Sequence, residues 1–291
     1  MFRDLISVIM PVWKPDITQL DLCIESIRNQ TYSNLELIII YKKSNIKVDS
    51  EVEKIFDKNK DDHRIRVIED NAKFVDALNL GIKMAKGTMI GRMDSDDICV
   101  NTRFEDQIEF MRQNKISLIG SWAYSISNDG KIVGVIEPPY QPEEIRKKIM
   151  FHNPILHPSI LMEKKMLDGI GYYDPRFSGA EDYELLLRGI FKNYRMANIP
   201  KHLIYLRETN QSIMRGSKWR SARKAYIRAK NTALLHYGFN HYHDIFYCLL
   251  TPLTLFASST MAYKIKSMLG WNETRKEESY DPSVNSQDKE F

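Results

Sequence analysis

The chain has 291 residues, 43% of them apolar and 27% charged, which excludes a disordered chain and allows a sizeable core. A formal charge of only +4 gives no support to a nucleic-acid binder. Cys23, Cys99 and Cys248 are odd in number, far apart and without close-paired spacing. That pattern argues against a disulfide framework or a zinc site and points to a reducing compartment.

Residues 1–11 carry Arg3 and Asp4 and an apolar run too short for a signal-peptide core, so the expectation is a cytoplasmic start inside the first strand. Residues 5–10 form a short β-branched run that Pro11 is expected to end, and 17–30 then place Leu20, Ile24 and Ile27 at helical spacing. The nearly continuous apolar run at 35–41 predicts a parallel strand buried on both faces. Strands follow at 65–68 and 89–93, with helices at 52–56, 74–85 and 102–111. Such alternation predicts βαβ units in an open, mostly parallel sheet flanked by helices.

In the second half, Ser127-Asn-Asp-Gly130 between two apolar runs is a hairpin signal, and 182–191 reads as a helix after the loop 174–181. A mixed α+β half forming the other wall of a cleft is expected. From about Arg215 the composition changes: Trp219, Ala222, Tyr226, Ala229, Ala233 and Tyr237 recur at helical spacing, opposite a polar side that includes Arg223, Arg228 and Lys230. Residues 245–263 run without a charge but contain Pro252, which favours insertion in the membrane plane over crossing. The competing reading is a helical pair packed on the catalytic domain. The organisation expected is a domain at 1–210, a basic amphipathic and apolar segment at 211–266, and a disordered polar tail at 267–291.

Ligands of open α/β sheets sit beyond the carboxyl ends of the strands, and Arg92-Met-Asp94-Ser-Asp96-Asp97 falls there. A hard divalent cation takes one or two carboxylates from protein and fills its shell with phosphate and water. The alternative is that the acidic cluster caps the helix at 102–111.

Several segments in order resemble the family 2 glycosyltransferases of bacterial polysaccharide synthesis, which have the GT-A fold. They are Ser7-Val-Ile-Met-Pro11, Cys23-Ile-Glu-Ser-Ile-Arg-Asn-Gln-Thr31, Asp76-Ala-Leu-Asn79 with Gly81 and Ala85-Lys-Gly87, and Arg92 to Asp97. To these are added Asn153-Pro-Ile-Leu-His157-Pro-Ser159 and Ala180-Glu-Asp-Tyr183 with Leu187-Arg188.

The resemblance, over roughly 5–210, implies an inverting, metal-dependent transferase. Asp96 would hold Mn²⁺ or Mg²⁺; Asp94 would contact ribose or the metal's shell; Asp182 would be the general base. Pro11, Trp13, Asn71, Asp76, Asn79, Arg92 and Asp94 are the donor-side candidates, and Glu181, His157 and Arg188 the acceptor-side candidates. Each has a structural alternative: core packing for Trp13, a hydrogen-bonded structural role for His157, a first helical turn for Glu181 and Asp182, and ion pairs for Arg188 and Arg207.

The implied donor is a UDP-sugar, with galactose or glucose favoured. The implied acceptor is an undecaprenyl-diphosphate-linked saccharide at an anionic membrane surface, on the cytoplasmic face of the bacterial inner membrane. One departure stands out. Where the family carries an acidic Asp-Asp-Gly-Ser type stretch, this chain reads Tyr41-Lys-Lys-Ser-Asn45, which leaves the nucleotide open. That loss motivates a second hypothesis, a non-catalytic sugar-nucleotide or glycan-binding module. A nucleotidyltransferase is disfavoured, because Pro11-Val-Trp-Lys-Pro15 has no glycine for a phosphate loop.

Overall fold

The first strand, β1 (Ile6–Trp13), runs straight through Pro11 rather than ending there. Ile9 accepts a backbone bond from Met93 on the side of the neighbouring strand β4 (Met89–Arg92). Pro11 has the same parity as Ile9, so its missing N–H would face a strand that has already stopped, and no ladder bond is lost. The computed structural model describes residues 4–150, 152–207, 219–237 and 275–276.

After β1 come α1 (Ile17–Arg28), β2 (Leu35–Lys42), α2 (Ile46–Lys58), β3 (Ile65–Glu69) and α3 (Phe74–Met84), which leads into β4. Asp16 and Asn45 cap α1 and α2 by accepting from the backbone N–H three residues on. The second cap explains why α2 starts well before the 52–56 expected from periodicity, which the exposed Ile46 interrupts. Strands β4, β1, β2 and β3 lie side by side and parallel, so β1 is flanked by β4 on one side and β2 on the other. That reversal of strand order opens a crevice at the carboxyl ends.

Beyond β4 the sheet is mixed. Next in the chain are β5 (Ile98–Cys99), α4 (Arg103–Asn114), β6 (Leu118–Ile126), β7 (Ile132–Ile136), α5 (Pro142–Lys148), β8 (Leu161–Glu163) and α6 (Lys164–Ile170). They are followed by α7 (Glu181–Phe191), β9 (Met196–Arg207), α8 (Trp219–Tyr237) and the two-residue β10 (Arg275–Lys276), with short 3-10 turns at His157–Ser159 and Pro175–Phe177. β8 is antiparallel to both β4 and β6, and β9 crosses to pair parallel with β6 and antiparallel with β5. The hairpin between β6 and β7 turns on Gly130 at φ +85°.

Apolar layers cover both faces. Ile38 and Ile40 of β2 join one layer with α3, α6, α7 and α8, and Leu37, Ile39 and Tyr41 join the other with α1, α2 and α4. The link into β4 is tight: a Cβ on Gly87 would lie 2.4 Å from the Leu5 carbonyl oxygen and 2.9 Å from the Ser7 amide. Only glycine fits where these two strands begin.

The helix α8 corrects one expectation. Its apolar face turns to protein, with Ala222, Ile227, Ala229, Ala233 and Leu234 buried and Tyr226 stacked on Tyr183 of α7 at 4.6 Å. Lys230, read as part of the polar side, is buried as well. The segment 245–263, Cys248, and all of the tail except Arg275–Lys276 lie outside the described residues. Among those that are described, no helix is long and apolar enough to cross a membrane.

Candidate active site

The acidic loop follows β4 directly, beside the end of β1. One carboxylate oxygen from each of Asp94, Asp96 and Asp97 lies within 4.8 Å of the others. Asp97 is buried and accepts the Arg207 backbone N–H at 2.8 Å, while the Arg207 guanidinium holds the Asp96 carbonyl at 3.0 Å. Asp97 is thus tied into the fold, and Asp94 and Asp96 face the crevice. Burial and mutual repulsion push the Asp96 carboxyl above the ordinary range and the Asp97 carboxyl well above it. A divalent cation fits here: three oxygens converge, and their crowded charge is what such an ion relieves.

This cluster does not cap α4, which begins at Arg103 beyond β5 with Thr102 at its N-cap. Arg103 has a different task. Its fully buried guanidinium donates to the Arg92 carbonyl at 3.0 Å, the Ile160 carbonyl at 3.3 Å and the Cys99 sulfur at 3.1 Å. Gln107, one turn on, donates to Ser159 O at 2.8 Å. Together these side chains tie the acidic loop to the turn that carries His157. Sequence reasoning missed them because an arginine at a helix start reads as solvated.

Arg92 is also buried, and its Nη2 pairs with Asp94. Its Nε and Nη1 are buried without a hydrogen-bond partner. An orphaned buried donor costs on the order of 1–3 kcal/mol, so such an arrangement is not explained by stability.

On the opposite wall α7 opens with Glu181 and Asp182, and both are in its first turn. Asn153 donates to Asp182 Oδ2 at 2.7 Å, and Glu181 accepts the Gly179 N–H at 2.5 Å. Burial raises both carboxyls above their ordinary values. Tyr226 of α8 lies beside them, its hydroxyl pushed well up by burial and by the charges of Asp182 and Glu181. Asn153 was visible in a family-like segment, but nothing in the sequence placed Tyr226 beside Asp182.

A pH dependence follows. Were Asp182 the general base, it would have to be ionised to act, so activity would fall as pH drops through its raised value, and the acid limb of kcat/KM would lie above the ordinary carboxylate range near 3.9. Asn153→Ala removes a bond to the ionised form and should move that limb further up. A limb left in place would contradict the assignment.

Other sites expected from sequence are reassigned. All five N–H groups of Arg188 are used: on Glu184 at 2.6 and 2.8 Å, and on the carbonyls of Ile170, Gly171 and Tyr172. It braces that loop instead of facing an acceptor. Asn79 is likewise spent on the Tyr173 backbone, donating to its carbonyl at 2.8 Å and accepting its N–H at 3.0 Å. His157 sits half-buried, 3.0 Å from the Tyr173 hydroxyl, and burial holds the imidazole well below its usual pKa, hence neutral. The acidic cluster does not include it.

Trp13 is 58% exposed, not in the core, with Lys14 and Lys42 nitrogens 5.0 and 6.0 Å from its ring centre. Lys42 also donates to the Asn71 carbonyl at 3.2 Å, and Asp76 is exposed on the first turn of α3. These groups line the carboxyl ends of β1, β2 and β3. Where the acidic stretch is missing, Asp49 accepts from the Tyr41 hydroxyl at 2.5 Å and the Ser44 N–H at 3.0 Å, and Lys43 pairs with Glu53 and Glu69.

A crevice at a strand-order reversal, with an acidic loop on one wall and a carboxylate pair opening a helix on the other, fits the GT-A class of glycosyltransferases. The chain belongs to glycosyl transferase family 2, whose family model matches residues 7–170.

Relatives agree. The O-antigen biosynthesis glycosyltransferase WbnJ of Escherichia coli is 31% identical over 74% of this chain and 84% of its own. WfaP of Escherichia coli, a UDP-Glc:α-D-GlcNAc-diphosphoundecaprenol β-1,3-glucosyltransferase, is 29% identical over 83% of this chain and 90% of its own. Among solved structures, S. aureus TarS in complex with UDP-GlcNAc has a TM-score of 0.66 at 16% identity, covering 92% of this chain and 78% of that one. The mannosyltransferase PcManGT from Pyrobaculum calidifontis, with GDP-Man and Mn²⁺, has a TM-score of 0.61 at 15% identity over 92% and 74%. At such identities these two show the shared fold.

Proposed function

We propose that the chain is an inverting glycosyltransferase that moves a hexose or N-acetylhexosamine from a UDP-sugar, galactose or glucose favoured, to a lipid-diphosphate-linked saccharide in bacterial surface polysaccharide synthesis. The observation that carries this reading is the facing of two unlike carboxylate groups across one crevice. Asp94 and Asp96 stand at the strand end, in a cluster suited to a cation, and Asp182 stands on the other wall, hydrogen-bonded by Asn153.

In this reading Asp94 and Asp96 would hold Mn²⁺ or Mg²⁺, which would supply positive charge against the departing nucleoside diphosphate. Asp182 takes the proton of the acceptor hydroxyl as its oxygen bonds to the anomeric carbon, opposite the bond that breaks to the phosphate oxygen. A single displacement inverts the anomeric centre. Asn153 fixes the carboxylate, and His157, neutral and bonded to Tyr173, serves as a polar wall toward the acceptor. Exposed Trp13 offers a stacking face for the base, with Lys42 close by.

The names of WbnJ and WfaP support the pathway class and the lipid-linked acceptor. Membrane contact at the cytoplasmic face rests on that acceptor and on the uncharged run 245–263.

The test is transfer from a panel of UDP- and GDP-sugars to a lipid-diphosphate-linked saccharide in anionic vesicles, with Mn²⁺ and then with EDTA. Transfer from a UDP-hexose that EDTA abolishes is expected. Undiminished transfer in EDTA would overturn the metal assignment, and transfer from GDP-sugars alone would overturn the donor.

A further inference from the structure

Among the described residues, Arg92 is a buried cation of the crevice whose bonding is left incomplete. Its residue is 3% exposed, its Nη2 holds Asp94, and its Nε and Nη1 have no hydrogen-bond partner although both are buried. Arg103, directly behind it, satisfies its guanidinium on backbone carbonyls and on Gln107. The fold therefore can saturate a buried guanidinium, and at Arg92 it does not. Arg92 stands between the two walls: Asp94 is two residues on, and its charge reaches His157, Tyr173, Glu181 and Asp182 across the crevice. The Phe74 ring lies 5.8 Å from the guanidinium carbon and is itself exposed, so the layer over the arginine is a movable side chain at the start of α3.

We propose that Arg92 is a diphosphate receptor that Asp94 occupies in the donor-free protein, and that donor binding exchanges the Asp94 carboxylate for phosphate oxygens on the same guanidinium. The inference rests on the glycosyl-transfer reading above. A carboxylate and a phosphate offer the same partner to arginine, two oxygens sharing negative charge. The Asp94 side chain is 34% exposed and free to turn toward the cation and ribose when the donor arrives. The vacated Nη2 and the two idle nitrogens then face the phosphate that carries the sugar. As the anomeric carbon–oxygen bond breaks, its electron pair stays on that phosphate oxygen, and the proton lost by the acceptor goes to Asp182. The diphosphate gains one negative charge, beside a cation already desolvated and fixed.

The experiment measures UDP and UMP binding by calorimetry for wild type and Arg92→Met, each with Mn²⁺ and with EDTA, together with the melting midpoint of each protein without nucleotide. Wild type should prefer UDP to UMP by tenfold or more, the size of a charge-assisted contact. Arg92→Met should erase that preference and leave UMP affinity unchanged. Its midpoint without nucleotide should fall modestly, because Asp94 loses its guanidinium partner while staying beside Asp96 and Asp97. A preference kept by Arg92→Met, or a parallel loss for UDP and UMP, would overturn the proposal. Failure of wild type to bind UDP under either condition would instead sink the reading on which it rests.

Discussion

Asp182→Asn should lower turnover by about 10²–10⁴-fold, the contribution expected of a general base. Donor affinity should change little, because Asp182 sits on α7 and not on the loop at the end of β4. Asparagine keeps the volume of the side chain and a carbonyl oxygen that can accept from Asn153, which now donates to the carboxylate at 2.7 Å. What it loses is the capacity to take a proton. The measurement is kcat beside the donor Kd, the latter from calorimetry. This pair of readouts separates an enzyme from a binding module on the same fold, since a module has no turnover to lose. Full activity in the variant would remove Asp182 from the mechanism and leave Glu181, its neighbour in the same helical turn, to be tested next.

Asp96→Asn should act in opposite directions on stability and activity. Without cation, three carboxylates converge within 4.8 Å and repel one another. Removing one charge should raise the metal-free melting midpoint. The same change removes an oxygen ligand, so Mn²⁺ should no longer raise the midpoint, as a ligand of the native state otherwise does. Transfer should fall by about 10² or more, in keeping with loss of a charge that acts directly on the reaction. Calorimetric midpoints with and without Mn²⁺ give the first two results, and steady-state rates the third. An Asp96→Asn protein that Mn²⁺ still stabilises as much as wild type would place the cation elsewhere. Asp97→Ala makes a useful contrast: it removes the acceptor of the Arg207 N–H in the interior, so its loss should be felt in folding.

Patterns of short range made much of this legible. The run Leu35 to Lys42 reads as a strand because apolar side chains on both of its sides must be buried, and the structure places them in two different layers. The acidic loop was legible because Asp-x-Asp-Asp at a strand's end has few structural uses. Glu181 and Asp182 could be read as a helix start, and they open α7.

Errors arose wherever a residue's partner lies far along the chain. Asn79 looked like a donor ligand until Tyr173, 94 positions away, took both ends of its amide. Arg188, read as an acceptor-side candidate or an ion pair, divides its donors between Glu184 and the carbonyls of 170–172. Pro11 looked like a strand terminator because its tolerance depends on where the neighbouring strand stops.

Residue identity and periodicity by themselves determined the alternating strands and helices of the first half and the acidic loop. Those features depend on local spacing and on which side chains water rejects. Only the tertiary structure decided that Asn153 and Tyr226 attend Asp182, that Arg103 binds the acidic loop to the His157 turn, and that α8 spends its apolar face on α7. It also decided that Arg92 keeps two nitrogens idle between the walls. Such facts depend on which distant groups meet, and hydrogen bonding is set by distances of about 3 Å that no linear spacing encodes.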